Sequence, residues 1–194
     1  MKIILASKSP RRKELLDLLN LDYEIIVSEA EEILDKNLSI EEQSKKLSYI
    51  KAKTVFEQTK GDRIVIGSDT MVIKDNKIYG KPKNEENAFE MLKELKNSKH
   101  QVITGLAILV EKDGIYEEYI DYDMAEVYFK DISDEEIKNW INTGEAIDKA
   151  GAYAVQGQFM VFIEKFNGNY ATVMGLPIHK VYDILKRIVN REEG

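Results

Sequence analysis

Two serines and two arginines fall within six residues, Ser7-Lys8-Ser9-Pro10-Arg11-Arg12, and that combination is chemistry for an anion. Hydroxyls and backbone N–H groups in a strand-to-helix turn can cradle phosphate oxygens. The start of a helix adds the positive end of its dipole, and guanidinium forks match phosphate geometry. Pro10 suits the first helical turn. Alone, the same residues also read as a capped helix start with two solvated arginines. Asp69, in Gly67-Ser68-Asp69-Thr70, follows the apolar run Ile64-Val65-Ile66, which predicts a carboxylate at the C-terminal end of a strand, where open α/β sheets place ligand-contacting groups. There it could hold a divalent ion or act as general base to a water, and the alternative is an Asx-turn.

Four further patches carry polar chemistry. Lys51 follows Ile50 on a helical pattern and flanks its buried stripe, so it could point inward, whereas Lys53 is expected to face water. Gly80-Lys81-Pro82 sets a cation in a rigid turn, which by itself is weak. Glu29, Glu31 and Glu32 form an acidic cluster that is either a solvated loop or the source of a second carboxylate for a magnesium–phosphate site. In Asp148-Lys149-Ala150-Gly151-Ala152-Tyr153-Ala154-Val155-Gln156-Gly157, small residues permit close backbone approach. Lys149 supplies charge, and Gln156 supplies the donor and acceptor needed to read a base edge; a plain turn is the alternative. His100 and His179 stand outside every motif and read as structural or surface residues.

The elements that must position these groups follow from apolar periodicity. Strands are expected at 2–6, 23–28, 63–68, 70–74, 77–79, 101–112, 115–129, 158–166 and 170–173, and helices at 10–20, 40–59, 84–96, 133–143 and 177–190. Asp75-Asn76, Asp113-Gly114 and Asn167-Gly168-Asn169 have hairpin-turn chemistry, so the sheet should be mixed. Ser133-Asp134-Glu135-Glu136 has the form of a capped helix start. No boundary or linker is visible, and 1–194 is read as one domain. A net charge of −7, from 28 basic and 35 acidic residues, argues against a stable nucleic-acid complex. The absence of cysteine fits a reducing compartment, and no apolar run is long enough to cross a bilayer, so a soluble, cytoplasmic protein without a membrane partner is expected.

Leu5-Ala6-Ser7-x-Ser9-Pro10-Arg11-Arg12-x-Glu14-Leu15-Leu16, Gly67-Ser68-Asp69-Thr70, Gly80-Lys81-Pro82, Asp148-Lys149-Ala150-Gly151-Ala152-Tyr153 and Gly175-Leu176-Pro177 resemble, in order, the signature blocks of the Maf family of nucleoside triphosphate pyrophosphatases, linked to inhibition of septum formation. The resemblance implies an elongated α/β fold with a mixed, twisted sheet, flanking helices and a cleft between two lobes, similar in architecture to inosine triphosphate pyrophosphatase. It implies hydrolysis of a nucleoside triphosphate to monophosphate and pyrophosphate with a divalent cation, Mg²⁺ or Mn²⁺. Arg12, Thr70 and Gln156 stand where the branch acting on dTTP and UTP is marked. By the same resemblance Asp69, Lys51 and Lys81 are catalytic. Ser7, Arg11, Arg12, Thr70, Lys149 and Gln156 bind substrate, and Glu32 with Asp69 holds the metal, Glu31 being the neighbouring alternative for Glu32. Ser68, where alanine is common, and Ala154, where glycine is, are the departures. A homodimer is an open expectation, with no interface stripe behind it. The competing functions are a broader pyrophosphatase for modified pyrimidine triphosphates and a non-catalytic nucleotide-binding regulator of septation.

Overall fold

The structure is a computed structural model that describes residues 1–35 and 37–190. In chain order the elements are β1 (Lys2–Leu5), α1 (Pro10–Asp17), β2 (Glu24–Ile25), α2 (Ile40–Gln58), β3 (Arg63–Lys74), β4 (Lys77–Tyr79), α3 (Glu85–Leu95), β5 (Lys99–Lys112), β6 (Ile115–Phe129), α4 (Asp134–Asn142), β7 (Ile163–Asn167), α5 (Tyr170–Met174) and α6 (Ile178–Asn190). The strands order as β2-β1-β3-β5-β6-β7, with β4 added on β3. β1 runs parallel to β2 and β3, placing Leu5 opposite both Ile25 and Ile66. β4 is antiparallel to β3, and β7 to β6, so the sheet is mixed as its turns require. Asp75 and Asn76 (φ 51° and 61°), and Asp113 and Gly114 (φ 50° and 78°), occupy the left-handed region that tight hairpins demand, which is why these residue types stand there.

Four expectations fail. The runs 63–68 and 70–74 form one strand, so Asp69 lies within β3 and not at a strand end. Residues 157–162 form a 3-10 turn, leaving only Ile163–Asn167 as strand. Tyr170–Met174 is helix α5 although it is rich in β-formers, because Asn169 starts it: its Oδ1 accepts from Ala171 N at 2.9 Å. Asn167-Gly168-Asn169 therefore joins a strand to a helix and closes no hairpin.

The described residues form two compact units, one from 1–69, 104–123 and 174–190, the other from 70–103 and 124–173. In the first unit α2 begins with a capping box. Ser39 Oγ accepts from Glu42 N at 3.2 Å while the Glu42 carboxylate accepts from Ser39 N at 3.0 Å, an arrangement worth about 1 kcal/mol. Ala52, Val55 and Phe56 of α2 pack with Ile4, Ala6, Val65, Ala107 and Leu109 in an apolar core, with Ile26 and Tyr49 against it. One turn nearer its start, α2 approaches the strands so closely that a Cβ at Gly67 would lie 2.5 Å from the Ser48 carbonyl oxygen, and one at Gly105 only 2.1 Å from that of Ser44. No other residue fits at either glycine.

The second unit is held by rings. His100, Phe129 and Tyr153 meet edge to face at 4.6 to 5.2 Å, and Phe159 joins them to Trp140. Trp140 Nε1 donates to Ala152 O at 2.8 Å, and His100 Nε2 shares a 2.8 Å hydrogen bond with the Tyr153 hydroxyl. The expected start of α4 is present as a second capping box, Ser133 with Glu136.

Candidate active site

In the first unit the turn after β1 brings Ser7 back over the start of α1. Pro10 opens α1, and the N-cap Ser9 makes no side-chain cap; Ser9 N donates instead to Ser7 Oγ at 3.2 Å. Ser7 Oγ also accepts from Arg12 Nη1 at 3.2 Å, so the hydroxyl is the point where the turn and the arginine meet. Arg12 Nε donates to the Gly175 carbonyl at 2.8 Å. Burial pushes the Arg12 guanidinium below its ordinary value, Asp69 and Glu32 pull it back up, and Arg11 adds a further push down. These four charged groups therefore share one neighbourhood.

Lys51 completes it. Its ammonium donates to Asp69 Oδ1 at 2.5 Å and lies 2.7 Å from Glu32 Oε1. Asp69 is buried and Lys51 half-buried, while Glu32 is exposed and reaches in from the loop before α2. Lys53, two residues on, lies over the Phe56 and Tyr116 rings with Glu57 3.6 Å away, on a different face of the same helix. The first unit thus brings together Ser7, Arg11, Arg12, Glu32, Lys51 and Asp69, a set with both signs of charge converging beside a helix start. Such a set can bind a polyanion through its cations and accept a proton or a metal through its carboxylates.

The remaining candidates belong to the second unit. Lys81 is exposed in the turn after β4, and its neighbour Gly80 accepts through its carbonyl from Gly151 N at 3.1 Å, which ties the Gly80-Lys81-Pro82 block to the Ala150–Ala152 turn. Gly151 has φ +68°, and a Cβ there would press on Val72 at 3.1 Å, so glycine is required twice over. Lys149 is buried and donates to Glu145 O at 2.6 Å and Asp148 Oδ1 at 2.7 Å. Thr70 and Gln156 are half-buried. Tyr153, in the same block, is a core residue whose hydroxyl is pushed up by burial.

The family model described as "Maf-like protein" matches residues 2–188. The chain belongs to the Maf family. Among curated relatives, this Maf chain is 48% identical over 191 residues to the dTTP/UTP pyrophosphatase of Thermoanaerobacter sp. (strain X514), covering 96% of each chain. It is 45% identical over 186 residues to the dTTP/UTP pyrophosphatase of Alkaliphilus metalliredigens (strain QYMF), covering 96% of this chain and 95% of that one. Among solved structures, the nucleoside-triphosphatase / dITP/XTP pyrophosphatase of Mycobacterium abscessus is similar at 16% identity and a TM-score of 0.42, over 68% of this Maf chain and 76% of that chain.

Two groups in this neighbourhood escape a reading by residue type. The Gly175 carbonyl has no side-chain signature, although the Gly175-Leu176-Pro177 block marks its place. Ser68 looks like a mere size-neutral departure, yet its hydroxyl lies 2.8 Å from Gly105 O and 2.9 Å from Gly175 O. A serine at the end of an apolar run, directly before a candidate catalytic aspartate, is the signal the sequence offers.

Proposed function

We propose that this Maf protein hydrolyses dTTP and UTP between the α and β phosphates, giving the monophosphate and pyrophosphate. The observation that carries it is the junction at Lys51, where two carboxylates meet one ammonium beside a half-buried arginine, on a chain whose relatives of 45 to 48% identity are named dTTP/UTP pyrophosphatases. Ser7, Arg11 and Arg12 bind the phosphates, with Lys51 and Lys81 offsetting their charge as the bond to the leaving group lengthens. Asp69 accepts a proton from the attacking water. The water oxygen bonds to the α phosphorus as the bond to the bridging oxygen breaks, pyrophosphate departs with that electron pair, and Asp69 then returns its proton to solvent.

A divalent cation, Mg²⁺ or Mn²⁺, fits the donor set. Glu32 and Asp69 both already reach a single cationic point, and magnesium in phosphate enzymes is held by one or two carboxylates together with substrate oxygens. Among the described residues no group of three or more His, Cys, Asp or Glu could hold a metal by itself, so phosphate oxygens would complete the shell. When bound, the ion would neutralise charge developing on the phosphates.

The Gln156 amide reads the O4 and N3–H edge that uracil and thymine share, with Thr70 and Lys149 as further substrate contacts. Among the described residues no helix is long and apolar enough to cross a membrane. A cytoplasmic role in sanitising the nucleotide pool is part of the proposal. A link to septum formation and a homodimer belong to the same proposal. The test is a panel of nucleoside triphosphates, with and without Mg²⁺ or Mn²⁺, on the wild type and Gln156→Glu. Metal-dependent pyrophosphate release from dTTP and UTP is expected, reduced about 10-fold for those two substrates by the substitution. No turnover of any nucleotide would leave a binding regulator, and equal turnover of modified pyrimidines would leave the broader enzyme.

A further inference from the structure

Gly175 accepts two hydrogen bonds through one carbonyl, from Arg12 Nε at 2.8 Å and from Ser68 Oγ at 2.9 Å. A carbonyl has two lone pairs, so both donors can be served at once. Ser68 is fully buried, and its single hydroxyl proton has a second acceptor in reach, Gly105 O at 2.8 Å. The hydroxyl thus bridges β5 and the turn that precedes α6. Gly175 itself sits at φ +108°, a backbone conformation that favours glycine. Fixing Nε matters because the guanidinium is planar: once Nε–H points at one carbonyl, the plane and aim of the whole fork are set. Ser7 Oγ takes one of the remaining donors at 3.2 Å, which leaves the fork little freedom to turn.

We infer that Ser68 is a positioning residue, whose hydroxyl steadies the Gly175 carbonyl that aims the Arg12 fork, so that the strand carrying Asp69 also sets the angle at which Arg12 meets the triphosphate. The inference rests on Arg12 being a phosphate ligand, as proposed above. An alanine at 68, the residue common in the resembling blocks, has no hydroxyl to do this.

The test is a double-mutant cycle on the full chain with Ser68→Ala and Arg12→Lys, which has no Nε–H fork to aim. Ser68→Ala is expected to raise KM for dTTP about 3- to 10-fold, the size of one hydrogen bond, with kcat within about 2-fold. In the Arg12→Lys background the same change should leave KM within about 1.5-fold, because the two act through one carbonyl. Ser68→Cys, of similar size with a weak donor, should fall between serine and alanine. An equal factor in both backgrounds would overturn the inference, and so would a loss confined to kcat. A second readout does not depend on turnover. The ¹⁵N-labelled Arg12 Nε–H resonance, assigned by its loss in Arg12→Lys, should shift in Ser68→Ala. An unmoved resonance overturns the linkage even in an active enzyme, whereas a moved resonance in a chain that hydrolyses nothing keeps the linkage and removes the substrate reading.

Discussion

Lys51 in the first unit and Tyr153, inside a signature block of the second, are both polar residues largely withdrawn from water, yet their surroundings are opposite. Around Lys51 stand Asp69, Glu32 and the desolvated Arg12, groups that cost stability to hold together and make up for it only through one another. Around Tyr153 stand Phe129, Phe159 and a neutral His100, whose rings contribute stability directly. Neighbourhood and not residue type separates a group kept for chemistry from one kept for packing. Changes around Lys51 should therefore cost activity more than stability, and changes around Tyr153 the reverse.

The contrast breaks first, and most severely, at Asp69. Asp69→Asn is nearly isosteric and should lower kcat about 10³-fold while dTTP binding stays within a few-fold; Glu32 still pairs Lys51, which keeps the loss in urea unfolding small. Near-wild-type turnover would remove the base from the mechanism. Next comes a change that sharpens the contrast inside the first unit. At Gly105→Ala the new Cβ meets the Ser44 carbonyl, so unfolding free energy should fall by about 3 kcal/mol in urea titrations, and an unchanged midpoint would mean that α2 sits less closely than described.

The third tests the ring cluster. Burial pulls His100 down to about 3 from its ordinary 6.5, and the Lys74 charge pulls the same way. A base with a lowered folded value is bound by fewer protons when native, so its contribution is whole above pH 6.5 and drains away as pH falls toward 3. His100→Gln cannot titrate there. The stability gap between wild type and His100→Gln should thus narrow by about 1.4 kcal/mol per pH unit, roughly 2 kcal/mol between pH 6.5 and 5. A gap that stays constant would show that His100 protonates as readily native as unfolded.

How much of this is legible in the residues alone depends on whether the cause is local. The capping boxes at Ser39 and Ser133 and the two tight hairpins are local, and each stands where its residues ask for it. Tyr170–Met174 reads as strand because its composition favours one, and a single upstream asparagine overrides that preference. The break expected after Ser68 is absent because an aspartate can stay within a strand once a lysine from a helix 18 positions earlier meets it. In the site, the side chains with charge are visible and can be grouped by motif, and the helical phase of Lys51 against Lys53 is readable. Backbone acceptors such as Gly175 O are not, because every residue carries one and only the fold decides which is aimed where.

The glycines at 67 and 105 also govern what lengths of chain the fold will tolerate. Ser44 and Ser48 rest on them, and Lys51 follows seven positions after Ser44, about two turns along the helix and nearly in line with it. A contact that admits no side chain also admits no slippage, so the helix is indexed against the strands like a key in its slot. One residue gained or lost between Ser44 and Lys51 would swing the ammonium about 100° around the axis while the seat held still. Drift in sequence length is therefore forbidden for these two turns.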